Sequence, residues 1–352
     1  MPTHNSSPVS DALTMGEGNT PLIRSRRIGP ELGLNELWFK YEGANPTGSY
    51  KDRFAVAAVT HLAREGKRLC LGTSSGNTGA ALAAYCARAG LPCHLAIVEG
   101  APEGKLRQMR AYGAHLLRIR GFGASPDVTL EVMTGLGALA RQLDGGVEVS
   151  AYAISPRGMA GVESLGRELA ATFDGRAFDV FCPAGGGGLT LAVARGLSQS
   201  RAEARVHCVQ PEGNDTIAGA LRRGDSQATP MASTTAISGL QVGAILDGHD
   251  VVKACRASGG SGQTISDEEV WAVQSRLARD EGVFCEPAGA VALAGLTTAV
   301  RNRELDTSRP VVCLVTGSGF KDERSLVAMT GSAGTPMVES WSEYAGRVSR
   351  SI

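Results

Sequence analysis

Neither sign of charge dominates this chain: 35 Lys and Arg balance 35 Asp and Glu, and no basic block breaks the balance. Sequence-independent nucleic-acid binding therefore has no electrostatic basis. Long apolar runs are missing as well. Val311-Val312-Cys313-Leu314-Val315 is among the longest, far too short to span a bilayer. The polar N-terminus has no positive start followed by an apolar stretch, so it does not read as a secretory signal. We expect a soluble cytoplasmic protein with no nucleic-acid or membrane partner. The eight cysteines (Cys70, Cys86, Cys93, Cys182, Cys208, Cys255, Cys285, Cys313) form no C-x-x-C pair and sit mostly in apolar contexts, which favours reduced core thiols. Six histidines show no H-E-x-x-H spacing, and no metal site is expected. Neither a Walker A run nor a G-x-G-x-x-G fingerprint is present; residues 100–106 (GAPEGKL) have the wrong spacing and end in Leu.

Glycine, by contrast, is abundant, with 46 of 352 residues, roughly twice the average share. It gathers at junctions between apolar runs and helical stretches. The runs at 36–42, 68–73, 92–98, 114–120, 147–153, 179–184, 205–210 and 311–316 read as strands. The stretches 51–64, 77–89, 105–112, 127–143, 159–172, 189–198, 267–280 and 289–301 read as helices. This alternation predicts an α/β protein with a mostly parallel sheet covered on both faces, in which ligands bind at the carboxyl ends of strands. The length favours two lobes sharing one cleft.

Four junctions carry candidate chemistry. In Asn45-Pro46-Thr47-Gly48-Ser49-Tyr50-Lys51-Asp52-Arg53, turn and cap formers open onto the apolar helical run at 54–59. Lys51 is thereby placed near a helix N-terminus, whose positive dipole end disfavours an ammonium and suits a lysine that joins a carbonyl cofactor; an exposed first-turn lysine fits this run equally well. Thr73-Ser74-Ser75-Gly76-Asn77-Thr78-Gly79 converges amides, hydroxyls and a carboxamide on a second helix start, where a carboxylate or phosphate is welcome; a capping loop is the alternative. Gly185-Gly186-Gly187-Gly188 follows a strand and precedes Leu189; four glycines weaken the backbone but let a phosphate approach the amides. Val315-Thr316-Gly317-Ser318-Gly319-Phe320-Lys321-Asp322 ends the last strand at the same rim.

Taken together, these runs resemble the fold-type II pyridoxal-phosphate enzymes, the family of threonine synthases, serine/threonine dehydratases, serine racemases and cysteine synthases. The likeness covers residues 16–322. Gly18-Asn19-Thr20-Pro21-Leu22 resembles the family's entry motif, and residues 39–53 are closest to the threonine synthase form. The resemblance implies a tryptophan synthase β-like fold: two open, twisted, mostly parallel sheets flanked by helices. It divides the chain into a large cofactor domain (15–44 and 155–330), a small mobile substrate domain (45–154) and flexible termini (1–14 and 331–352). Lys51 would carry the Schiff base to pyridoxal 5′-phosphate. Gly185, Gly186, Gly187, Gly188 and Leu189 would hold its phosphate, Asn77 its 3′-oxygen, and Thr316 would face its pyridine nitrogen. Ser74, Ser75, Gly76 and Thr78 would receive the substrate carboxylate, and Glu286 would line the pocket.

Two departures stand out. Threonine synthases hold the cofactor phosphate with a Gly-Asn-Ala-Gly-Asn type loop, whereas this chain has the all-glycine form common in dehydratases. They also carry an Asn-Pro-x-Arg run for the substrate phosphate; here Ser155-Pro156-Arg157-Gly158 displaces the arginine by one residue. Arg157 is accordingly expected to bind and tune the choice of an anionic substrate, with a surface or lobe-lobe ion pair as the alternative. Threonine synthase-like β/γ elimination or replacement on an amino acid is the leading expectation, with a serine/threonine ammonia-lyase second and a non-enzymatic binder on the same scaffold third. A homodimer is expected.

Overall fold

The computed structural model describes residues 13–350 apart from 75, 102, 332 and 333, so of the expected site residues only Ser75 lies outside it. Among the described residues, ten strands form two sheets. The larger contains β1 (Leu22–Arg24), β2 (Leu37–Tyr41), β7 (Phe178–Pro183), β8 (Ala204–Pro211), β9 (Gly262–Ile265) and β10 (Val311–Val315). Its order is β1-β2-β10-β7-β8-β9, with β1 alone antiparallel to its neighbour. The smaller sheet, from β3 (Cys70–Thr73), β4 (Cys93–Ile97), β5 (His115–Arg118) and β6 (Gly146–Glu148), is parallel throughout in the order β5-β4-β3-β6. Two mostly parallel sheets flanked by helices are the expected architecture. β7 and β10 are buried at every residue, which explains their unbroken apolar reading: helices cover both faces of a central parallel strand.

Glycines set the spacing of the helices beneath the site. A Cβ on Gly161, in the helix Pro156–Thr172, would lie 2.2 Å from the Arg53 carbonyl of the helix Lys51–Arg64. One on Gly196 would lie 2.1 Å from the Glu163 carbonyl, so the helix Gly188–Gln199 also rests directly on backbone. These contacts hold the helix that begins at Lys51 against the large sheet's layer.

Several boundaries differ from the sequence reading. The strand expected at 147–153 stops at Glu148, because the Val149 N–H turns to the Ser155 hydroxyl at 2.9 Å and leaves the ladder. The short β1 and β9 carried too few residues to show a period. The stretch 331–352 contains a helix, Trp341–Ser349, whose Ser340 cap accepts from the Glu343 N–H and none of whose residues is buried. Among the scattered cysteines, Cys70, Cys86 and Cys93 converge, with their sulfurs within 4.8 Å of one another.

Candidate active site

The turn before Lys51 is held rigidly. The buried Asp52 carboxylate accepts from the Thr47 N–H (3.1 Å) and hydroxyl (2.8 Å). Burial nevertheless raises its pKa to about 6. The Tyr50 N–H donates to the Thr316 carbonyl at 3.0 Å, and Ser49 bridges Gly317, so the start of the helix Lys51–Arg64 is fastened to the end of β10. From there the Lys51 ammonium donates to the Ser150 hydroxyl at 2.6 Å, over the Tyr50 ring. The Thr78 hydroxyl, in the first turn of the helix Asn77–Ala89, lies 3.2 Å from the same Ser150 oxygen. Ser150 thus joins the lysine to the second glycine-rich junction.

It also reaches the third. A Cβ on Gly188 would stand 3.2 Å from the Ser150 carbonyl and 3.1 Å from the Asp247 carboxylate, so only glycine fits this approach without displacement. Gly187 has φ +98°, and the helix Gly188–Gln199 that it opens has no side-chain cap. Its first N–H groups are left for an anion. Just past the end of the neighbouring β10, the buried Thr316 hydroxyl has no hydrogen-bond partner among the described residues. An uncapped amide cradle, an orphaned hydroxyl and a lysine amine at one rim fit a phosphorylated carbonyl cofactor with a polar ring atom. Gly185 contributes its carbonyl to the Gln210 amide at 3.1 Å, Asp247 donates its N–H to the Gly186 carbonyl at 3.2 Å, and Leu189 is buried beneath the loop.

On the other side, the Asn77 carboxamide donates to Glu286 at 2.5 Å. The second Glu286 oxygen lies 3.4 Å from the Lys105 ammonium, which also donates to Ser238 at 2.9 Å. Gly76 and Asn77 open onto a cavity of about 990 Å³. The Ser74 hydroxyl is occupied in shaping this loop, accepting from the Gly76 and Gly79 N–H groups at 3.0 and 2.8 Å.

Arg157 is not brought into the cluster. It sits exposed in the first turn of the helix Pro156–Thr172 and makes no hydrogen bond or ion pair among the described residues, while Gly158 beside it packs against the Phe54 ring. Sequence reasoning missed Ser150 and Lys105. Ser150 follows the end of β6, where a ligand-facing residue belongs, but was hidden inside an overlong strand. Lys105 lies in the run at 100–106, which has the wrong spacing for a phosphate loop and gives no other local signal.

Residues 13–317 match the family model for the pyridoxal-phosphate dependent enzymes. The chain belongs to this family. The enzyme is 35% identical over 319 residues to a threonine synthase from Halalkalibacterium halodurans, covering 90% of this chain and 86% of that one. In fold it is similar to diaminopropionate ammonia lyase from Escherichia coli, with a TM-score of 0.75, 18% identity and coverage of 92% and 91% of the two chains. The processed form of threonine deaminase isoform 2 from Solanum lycopersicum gives a TM-score of 0.73 at 22% identity, over 90% of this chain and 88% of the other. The enzyme's cofactor is pyridoxal phosphate.

Proposed function

We propose that this enzyme carries out a threonine synthase-like elimination or replacement at the β or γ carbon of an amino acid, on O-phosphohomoserine or a related substrate with a leaving group. The observation that carries the proposal is the Lys51–Ser150–Thr78 cluster, an amine bonded to the Ser150 hydroxyl, which in turn lies 3.2 Å from the Thr78 hydroxyl, between an uncapped glycine cradle and the Thr316 hydroxyl that has no partner among the described residues. When bound, pyridoxal phosphate supplies the carbonyl that Lys51 joins and a ring that draws electrons from the substrate's α-carbon. Thr316 offers that ring a neutral hydroxyl instead of a carboxylate, which leaves the pyridine nitrogen without a counter-charge and favours elimination and replacement over transamination.

Lys51 removes the α-proton and returns protons to the product, with the Ser150 hydroxyl holding its amine in place. Asn77 takes the cofactor's ring oxygen and Glu286 orients Asn77. Gly76 and Thr78, with Ser75, receive the substrate carboxylate, and the Ser74 hydroxyl holds their loop in shape. Gly185, Gly186, Gly187 and Gly188 surround the cofactor phosphate with amides, with Leu189 packed behind them. The small lobe (45–154) closes on the large one (15–44 and 155–330) around the substrate. We place the enzyme in the cytoplasm as a homodimer.

A serine/threonine ammonia-lyase is the second reading, favoured by the all-glycine cradle and by the exposed position of Arg157. A substrate screen that follows phosphate and ammonia together separates the two. Phosphate released from O-phospho-L-homoserine, with no ammonia from serine or threonine, is the expected result. Ammonia from the hydroxy amino acids alone would replace the first reading with the second.

A further inference from the structure

Lys321 stands out because it is a sheltered cation with no direct ion pair among the described residues, attracted only from further off by Glu286 and Asp52. Its ammonium carries three donors, and one of them meets the Gln108 amide oxygen at 2.7 Å. No carboxylate lies within ion-pair distance of it among the described residues; the nearby Glu286 and Asp322 carboxylates are turned to Lys105, at 3.4 and 3.8 Å. Burial lowers the Lys321 pKa to about 8. A charge removed from water without a partner is unfavourable, and an arriving anion relieves it.

The surroundings are built to keep this lysine where it is. A Cβ on Gly48, at φ +91°, would stand 3.2 Å from the Lys321 side chain, so the loop before Lys51 closes directly over its stem. Gln108, its acceptor, also donates to the Thr47 carbonyl at 3.1 Å. Lys105 stands opposite, its side chain 3.2 Å from where a Cβ on Gly76 would lie. Lys105, Gln108, Ser318 and Lys321 line the 990 Å³ cavity together with Gly76 and Asn77. An amino acid whose carboxylate met the 74–79 loop would face both ammonium groups across that space.

We propose that Lys321 and Lys105, with Gln108 and Ser318, form an anion subsite that receives an acidic group on the side chain of the substrate, and that this subsite stands in for the arginine the chain lacks at Gly158. The proposal rests on the threonine synthase-like reading for its substrate, but the subsite can be tested without turnover. In the holoenzyme the cofactor occupies its own phosphate cradle, so added inorganic phosphate reports on the cavity.

Inorganic phosphate is titrated calorimetrically into wild-type holoenzyme and into Lys321→Met, Lys321→Gln and Lys321→Arg. In parallel, the cofactor's visible band is followed as two pairs of amino acids are added: O-phospho-L-homoserine with L-homoserine, and L-glutamate with L-glutamine. The expected result is at least ~10-fold weaker phosphate binding in Lys321→Met and Lys321→Gln, recovery in Lys321→Arg, and a matching loss for the anionic member of at least one pair while its neutral partner is unchanged. Phosphate that binds wild type and the Met and Gln variants alike, or does not bind wild type, would overturn the subsite. So would an equal loss for the anionic and neutral members of both pairs, which is the signature of a structural lysine. An enzyme that releases no phosphate from O-phospho-L-homoserine yet shows the Lys321-dependent phosphate binding would refute the proposed reaction and retain the subsite.

Discussion

Arg53, two residues past Lys51, is 2% exposed, and replacing it by leucine should unseat the whole start of the helix. Its guanidinium donates to both Glu42 oxygens at 2.8 and 2.9 Å, to both Glu168 oxygens at 2.5 and 2.9 Å, and to the Ser164 hydroxyl at 2.9 Å. These bonds tie β2's end to the helix Pro156–Thr172 through the residue that positions Lys51. Burial pushes the Glu168 carboxyl up, yet the hydrogen bonds and charge of Arg53 outweigh it and hold the group at about 2. Without Arg53, Glu168 keeps Lys40 at 2.7 Å, but the fully buried Glu42 keeps, among the described residues, only the Thr20 hydroxyl and the Asn45 amide. Removing one side of such a buried pair costs about 3–5 kcal/mol, because a charge is left unpaired. Arg53→Lys keeps the charge but loses the two forks and should recover only part of that. Arg53→Leu combined with Glu42→Gln should recover more, since the stranded charge is then gone. Urea unfolding of the holoenzyme, followed by far-ultraviolet dichroism and by the cofactor band, measures the loss. A cost below ~1 kcal/mol with a normal cofactor band would refute the view that this network sets the position of Lys51.

Three further outcomes are expected. Burial raises the Glu148 pKa from 4.5 to about 7, and at 6% exposure one of its oxygens has no partner. The folded state therefore holds a proton that the unfolded state has lost, and stability should fall by ~3 kcal/mol as pH rises from about 4.5 to about 7. Glu148→Gln should flatten that slope, and parallel urea midpoints for the two proteins at pH 5 and pH 8 would contradict the assignment. Gly187→Ala puts a Cβ at φ +98° and 2.8 Å from Val251, so cofactor affinity measured by spectrophotometric titration should drop by ~10-fold or more, as 1–3 kcal/mol of backbone strain requires; unchanged affinity would remove the loop from the phosphate site. Arg157→Ala should leave the Michaelis constant for the best anionic substrate within ~2-fold of wild type, because an exposed, unpaired arginine contributes little, and a ~10-fold rise would return Arg157 to the substrate site.

The parts legible in the sequence were those written in local chemistry. The turn and cap residues 45–50 before an apolar helix, the tetraglycine after β7 and the threonine ending β10 each mark a strand-to-helix junction within a few residues, and all three lie at the carboxyl rims of parallel strands. Ser150 was not legible, because its meaning comes from three long-range contacts: with Lys51, 99 residues away, with Thr78, 72 away, and with the backbone at Gly188. Lys321 was visible in the sequence only as a rival to Lys51 for the cofactor; that it makes no direct ion pair among the described residues depends on Lys105 drawing Glu286 and Asp322 to itself. For Arg157 the sequence leaves both a cleft-facing and an outward-facing placement open, and the structure has it exposed. A motif one residue out of register rotates a side chain by about 100° around a helix, enough to turn it from the cleft to solvent while its neighbour Gly158 packs inward.

We place pyridoxal phosphate on Lys51. Borohydride reduction of the holoenzyme followed by peptide mapping tests it directly. The cofactor should be found on the peptide containing Lys51, and Lys51→Ala should lose both the reducible linkage and turnover. A cofactor trapped on Lys40, Lys105 or Lys321, or a Lys51→Ala protein that keeps the linkage, would rule out Lys51 as that lysine.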